Sequence, residues 1–484
     1  MNINGAFVNR WTRLAPNFLP FADAASTELP LGRLVRLSLF QVSVGMTLTL
    51  LVGTLNRVMI VELSLAATLV AAMIALPLLF APLRALIGFR SDTHRSLLGW
   101  RRVPYIWFGT LLQFGGLAIL PFALIVLSGD TNGPVLYGQI AAALAFLMIG
   151  AGMHTTQTVG LALATDLAPE ASRPRVVAMM CSMLLLGMAV SAVVYGALLA
   201  DFSQLRLIKV IQGTAVLTFV LNLAALWKQE ARDPELTAPD KAQPSFGESW
   251  RALATDPLGR RRLVALAIGT MAFGMQDILL EPYGGEVINM SVSGTTLLSA
   301  VLALGGLAGF LIAARAMGRG TDAYRIASYG ALVGLVGLTA IVFAAPMHSA
   351  LLLAGGAGLI GFGGGLFAHT TLTTAMLLAP RGQVGLALGV WGAVQATASG
   401  LAMAISGVLR DLVNGLAASG RLGETLSTPA TGYAVVYNIE ILLLFATLIA
   451  LGPLVRSTRS ADTTSAAAET QSPEVHSLNR EAVA

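Results

Sequence analysis

Apolar stretches recur along this chain at intervals of a few tens of residues, with polar and charged positions confined to the short segments between them. A helix that crosses the hydrocarbon core of a bilayer needs roughly 20 mostly apolar residues. The pattern therefore predicts spans near 38–61, 64–87, 103–127, 136–165, 176–199 and 207–227, and a second set near 263–282, 295–315, 326–345, 349–378, 384–409 and 432–455. Twelve helices result, and they define an all-α membrane protein.

Charge placement supplies a separate test. Cytoplasmic loops carry the excess of Lys and Arg, and with the N-terminus inside, parity assigns Arg57, Arg206, Lys209, Arg410 and Arg421 to the outer side and leaves the other 25 of the 30 basic residues inside. Both termini are then cytoplasmic. The first thirty residues lack the compact apolar core of a signal peptide; they are polar and aromatic, with Arg10, Trp11, Arg13 and Phe18, and 1–37 reads as an interfacial segment.

Composition agrees. Of the 484 residues, 55% are hydrophobic and 11% charged, whereas soluble domains carry about 25% charged residues. The single cysteine, Cys181, forms no intramolecular disulfide and is too little sulfur for a zinc or iron–sulfur site. An isoelectric point near 9.6 would suggest nucleic acid as partner in a soluble protein, but here the basic residues sit between apolar blocks.

Residues 228–262 hold most of the central charge and four prolines, Pro234, Pro239, Pro244 and Pro257, which is linker composition and divides the chain into bundles at 38–227 and 263–455. Inside the linker, Ser245 followed by Glu248 resembles a capping box, and Phe246, Trp250, Leu253 and Leu258 could form one face of an interfacial helix. The tail at 456–484 is rich in Ser, Thr, Ala and Glu with no periodic apolar pattern and reads as disordered.

The halves share motifs. Gly88, Asp92 and Arg95 return 230 residues later as Gly318, Asp322 and Arg325 with the same G-x3-D-x2-R spacing, in the turn after the second helix of each half. Gly150, Gly152 and Leu167-Ala168-Pro169 return at an offset of 211 as Gly361, Gly363 and Leu378-Ala379-Pro380. Duplication follows. The Gly-x3-Asp loop followed by Arg101 and Arg102 resembles the signature loop of major facilitator transporters, and Asp166, Pro169 and Arg173 resemble the end of that superfamily's fourth helix. The resemblance implies two six-helix bundles related by a pseudo-twofold along the membrane normal. These loop charges are better suited to latching a cytoplasmic gate or fixing topology than to touching a substrate.

The middles of the spans carry few ionisable groups, which is thin for an ion-coupled pump. Glu440 lies a third of the way into span twelve, Arg57 and Glu62 lie toward the outer end of span one, and Asp277 and Glu281 at the outer end of span seven. An offset of 220 aligns Asn56-Arg57 with Gln276-Asp277, so Arg57 and Asp277 are expected either to pair across the outer mouth or to stand as two separately solvated charges. His154 in GAGMHTTQT and His369 in GLFAHTTLTT lie within spans four and ten on similar faces, each preceded by glycines. A neutral imidazole is an axial ligand for a chelated metal, and glycine leaves room for a flat macrocycle; the plainer alternative is a histidine hydrogen-bonded to a neighbouring helix. Met179, Met180, Met183 and Met188 suit either a large irregular ligand or ordinary gap-filling.

Three stretches resemble one branch of the superfamily, the PucC/LhaA family of light-harvesting complex assembly proteins: LNRVMIVEL at 55–63, PLRALIGFRSDTHRSLLGWRRVPYIWFGT at 82–110 and MQDILLEPYGGEV at 275–287. The resemblance implies a protein of the bacterial inner, intracytoplasmic photosynthetic membrane that binds bacteriochlorophyll as cargo and delivers it to antenna polypeptides, with pigment-synthesis enzymes and insertion machinery as further partners. In that setting His154 and His369 become candidate magnesium ligands, with no metal held directly by the protein. The rival expectations are a carrier of a small solute, which the fold resemblance favours, and an enzyme of pigment synthesis. No Ser/His/Asp set, phosphate loop or interior carboxylate pair supports catalysis, and Gly363-Gly364-Gly365 lacks the strand and helix context of a nucleotide loop.

Overall fold

A computed structural model describes residues 29–77, 81–92, 94, 100–128, 134–169, 172–231, 257–377 and 384–470. Span one is helix α1 (Leu31–Leu48) continued by two π-helical segments, Thr49–Leu55 and Val58–Glu62. It begins at Leu31 rather than near 38, and Arg33 donates from Nε to the Gln229 side chain and from Nη2 to the Gln229 carbonyl. Span two is described as α2 (Ala67–Ala75), which tightens to a 3-10 turn at Leu76 and Pro77, and α3 (Ala81–Asp92), with residues 78–80 between them outside the described residues.

Spans three to six are α4 (Val103–Leu127), α5 (Val135–Leu167), α6 (Arg173–Leu198) and α7 (Gln204–Leu226). Span seven is α8 (Pro257–Gly274), a 3-10 turn at Met275–Ile278, and α9 (Leu280–Glu286). The chain then runs through α10 (Val292–Gly318), α11 (Ala323–Ala344), α12 (Ala350–Leu377), α13 (Val384–Ala418) and α14 (Ala430–Thr470). Among the described residues eleven helices are long and apolar enough to cross a membrane, and the divided second span makes the expected twelve. α14 runs on to Thr470, past the expected end of its span and into the tail read as disordered. The capping box at Ser245 and Glu248, with Phe246, Trp250 and Leu253, lies outside the described residues.

Each half repeats one set of neighbours. Its first span packs on its fifth and sixth, its third on its fourth and sixth, and its second on its fourth. The halves meet where α6 packs on α10 and where α2 and α3 pack on α13, so span five meets span eight as span two meets span eleven. Those two contacts exchange under the pseudo-twofold, which is the arrangement of a major facilitator bundle.

Glycine sets how closely these helices approach. A β-carbon at Gly365 would fall on the Gly306 carbonyl oxygen of α10, and one at Gly363 on the Gly330 carbonyl oxygen of α11. The glycine run in α12 is therefore a two-sided helix-packing surface, as expected where small residues let backbones meet. Gly365→Ala is expected to cost about 1–3 kcal/mol through overpacking. Gly355→Ala, in the same helix with nothing within 4 Å of an added β-carbon, should be neutral or slightly stabilising. Thermal unfolding of the purified variants measures both; equal effects would remove the close-packing account.

Candidate functional site

At the end of the bundle expected to be cytoplasmic, Arg102 carries the signature-loop chemistry. Its Nε and Nη2 donate to Asp166 Oδ2 at 3.1 and 3.0 Å, and its Nη1 donates to Ser91 Oγ at 2.6 Å. Arg101 Nη2 reaches the same Asp166 oxygen at 3.3 Å. Arg102 is buried, so this fork ties the turn before α4 to the ends of α3 and α5. Glu230 joins it by accepting the backbone N–H groups of Arg101, Arg102 and Val103 at 2.8–3.0 Å, a carboxylate at the positive end of α4. Arg173 Nε donates to the Thr165 carbonyl. These contacts bring Arg101, Arg102 and Asp166 together and all lie within the first half; Glu230 was missed, because its partners are main-chain groups that no sequence spacing reveals.

The two G-x3-D-x2-R copies behave differently from their shared expectation. Gly88 lies inside α3 and Asp92 ends that helix, so Gly88 makes no turn; the Asp92 side chain and Arg95 lie outside the described residues. In the second copy Gly318 is the last residue of α10, and it is Gly320, with φ +84°, that takes the left-handed turn position. Asp322 caps α11 by accepting the Arg325 N–H at 2.8 Å. That is a local helix cap, with the Arg325 side chain exposed.

The outer-mouth charges form other pairs than expected. Arg57 donates from Nη1 to Glu62 and approaches the Met290 carbonyl at 3.5 Å, while Asp277 accepts from its neighbour Gln276 at 2.7 Å. Asp277 is held in the 3-10 turn of span seven beside Gln276, and Arg57 is drawn along its own helix to a residue five positions on. The pair that closes this end lies elsewhere. Arg410 of α13 donates to Glu286 and to the Tyr433 hydroxyl, Tyr433 donates to Glu286 at 2.8 Å, and Asp411 accepts at 2.6 Å from both the backbone and the hydroxyl of Thr68 in α2. Thr68 and Asp411 belong to opposite halves, so this cluster latches the bundles together.

The interior holds more ionisable groups than the span positions implied. Glu281 is 1% exposed and accepts from Ser299 Oγ, in space left by Gly53 of span one. Glu440 is 0% exposed, with the Gln276 backbone as its nearest donor and no side-chain partner, and it stands in electrostatic contact with Asp277. Both acids lie beside the breaks in spans one and seven, where Asn56 donates across the halves to the Ile278 carbonyl freed by the 3-10 turn.

The histidines differ from each other. His154 is buried, and neither of its ring nitrogens has a hydrogen-bond partner. His369 packs edge-on against Phe310 at 4.3 Å between ring centroids, with Thr373 Oγ1 3.5 Å from Nε2 and Nδ1 unpartnered. The expectation that adjacent glycines leave a flat face for a macrocycle is not met: Gly150 packs on Pro77, Gly152 on the α4 backbone at Gly109 and Gln113, and Gly363 and Gly365 on α11 and α10. Helix contact has taken that space. Three of the four methionines of span five serve the core, Met179 and Met180 being buried in it with Met183 packed alongside.

Beside His154 stands a residue absent from the expected set. Arg84 of α3 donates from Nε to Thr158 Oγ1 at 3.0 Å and from Nη2 to Gln157 Oε1 at 2.9 Å, within electrostatic reach of the His154 ring. It sits inside the apolar run LPLLFAPLRALIGF, and that interruption was its signal.

The coupling energies separate these pairings. A double-mutant cycle on Arg410 and Glu286, read by thermal stability, should give about 1–3 kcal/mol of interaction. The same cycle on Arg57 and Asp277 should give none; coupling there would restore the discarded pair.

Comparison with known proteins agrees with this architecture. Residues 54–459 match the family described as PUCC protein. The chain is 57% identical over 412 residues to "Protein PucC" of Rhodovulum sulfidophilum, covering 84% of this chain and 91% of that one. It is 56% identical over 445 residues to the "Uncharacterized protein in puhA-bchM intergenic region" of Rhodobacter capsulatus, covering 92% and 93%. Among solved structures, the nucleoside transporter NupG (D323A mutant) superposes with a TM-score of 0.64 at 13% identity, over 87% of this chain and 99% of that one.

Proposed function

This chain belongs to the PUCC protein family, and we propose on that premise that it is an assembly factor for the light-harvesting antenna of a phototrophic bacterium. It holds bacteriochlorophyll as cargo and passes it laterally to antenna polypeptides, from a multi-pass position in the inner photosynthetic membrane with both termini cytoplasmic. Enzymes of pigment synthesis and the insertion machinery are the suppliers and neighbours this role requires.

The observation that carries the reading is His154. A buried imidazole with both nitrogens unpartnered leaves its polar atoms unsatisfied in a low-dielectric interior, a cost of about 1–3 kcal/mol each. A magnesium tetrapyrrole would relieve that cost, since a neutral imidazole nitrogen would supply the lone pair that holds its metal. Bound pigment would supply the metal and His154 the donor, once the helix contacts at Gly150 and Gly152 part to admit it. His369, with one nitrogen already near Thr373 and its ring against Phe310, is the weaker candidate.

A second reading, a small-solute transporter of the major facilitator type, draws support from the buried carboxyls of Glu281 and Glu440 beside broken helices, since interior acids and discontinuous spans mark ion and substrate paths. Neither reading needs an enzyme.

Protein isolated from its native host should carry the near-infrared absorbance of bacteriochlorophyll, and His154→Ala should lower bound pigment several-fold while His369→Ala lowers it less. Colourless protein that moves a solute into liposomes would favour the transporter instead.

A further inference from the structure

Spans five and six, α6 and α7, both pack on α1 and hardly touch each other. The space between them is a lateral groove of about 920 Å³, with Val42 and Met46 of α1 as its floor and α6 and α7 as its walls. Val190 and Val194 on one wall and Leu217 on the other are about half exposed, so the groove opens sideways, toward hydrocarbon in a membrane. Gly213 widens it, since an added β-carbon there would meet nothing within 4 Å.

The charge of this groove is gathered at one end. Lys209, Gly213, Leu217 and Leu221 follow one another at intervals of four residues along α7 and form one stripe. From the cation to the apolar tip that stripe rises about 18 Å, and one leaflet of a hydrocarbon core is about 15 Å thick. Lys209 is exposed and forms no ion pair among the described residues. Arg206, at the same mouth, meets Asp201 at 3.0 Å with the two side chains 48% and 88% exposed, a kind of contact that holds weakly. Deeper in, the hydroxyl protons are already committed: Ser191 donates to the Met188 carbonyl, Thr214 to the Val210 carbonyl and Tyr195 to the Met46 carbonyl. The walls therefore offer a polar solute no free donor, while the mouth offers an anion two cations. The duplicated half lacks this charge, since span twelve has no Lys or Arg between Ala430 and Glu440.

We infer that the groove binds an anionic phospholipid of the leaflet at the expected outer end, with its phosphate at Lys209 and Arg206 and one acyl chain laid past Gly213 over Val42 and Met46. The position of the charge commits the groove to a lipid. A transmembrane helix, about 10–12 Å across, would have to bring an acid to the depth of Lys209, whereas an anionic phospholipid carries its phosphate where its acyl chains begin. A lipid so placed joins α6 to α7, whose direct contact is slight. The site stands apart from the pigment reading.

The test incubates the purified full chain with an equimolar mixture of phosphatidylglycerol and phosphatidylcholine of the same acyl chains and reads the retained lipids by native mass spectrometry. Wild type should retain phosphatidylglycerol about fivefold over phosphatidylcholine, the effect of one basic residue near a membrane surface. Lys209→Gln, at an exposed position, should lose most of that preference while still retaining either lipid. Gly213→Phe, whose ring would occupy the groove, should retain less of both, and unchanged thermal unfolding in detergent alone would show that its fold is intact. Equal retention of the two lipids by wild type, or a preference that survives in both variants, overturns the inference. So does displacement of phosphatidylglycerol by an equal concentration of inorganic phosphate, which would leave a bare anion site, or a bound polypeptide lost in Gly213→Phe, which would give the groove to a partner helix. None of these outcomes alters the pigment reading.

Discussion

A bilayer offers no water to an unpaired peptide group, and each one left open in hydrocarbon costs several kcal/mol. That constraint dictates helices throughout and makes every departure from a helix an event that a neighbour must repair. This chain departs from regular α-helix at three places that bear on its function: the π-helical end of span one, the interrupted span two and the 3-10 turn in span seven. The repair of the last is visible, since the Asn56 amide of one half donates to the Ile278 carbonyl of the other. The polar groups that matter most, Arg84, Asp277, Glu281 and Glu440, cluster in or beside these interruptions. Non-helical backbone at membrane depth is tolerated where protein surrounds it, and such places mark binding sites.

Two kinds of attachment hold the structure together, one within a half and one between the halves. Glycine-mediated contact is strongest within a half, where α12 lies against α10 and α11 with carbonyl oxygens where β-carbons would stand. Polar attachment prevails at the expected outer end, where Asp411 reaches Thr68 and Arg410 gathers Glu286 and Tyr433. The first is insensitive to charge. The second can be undone by competition for its donors and is the reversible element of the pair.

Much of the fold was legible because hydropathy reports burial in lipid directly: eleven spans and their order follow from apolar run length. The interrupted helices were not legible, since Pro77 and Pro82 stand in an apolar run that hydropathy alone reads as continuous. Arg101, Arg102 and Asp166 were singled out by their motif, whereas Glu230, which binds main-chain N–H groups, left no side-chain pattern. Arg84 was overlooked for a physical reason: a cation eight residues from Asp92 counts as part of the neighbouring cytoplasmic loop until the chain's path lifts it toward His154. The Arg57–Asp277 expectation failed because equivalence by repeat places backbones, while side chains settle with whichever opposite charge is nearest.

The glycine seams of α12 carry one further implication. Three helices brought backbone to backbone at these glycines, with Ile341, Ile360 and Leu366 packed between them, have little room to slide past one another. Any opening of this molecule toward the lipid would therefore hinge along other edges.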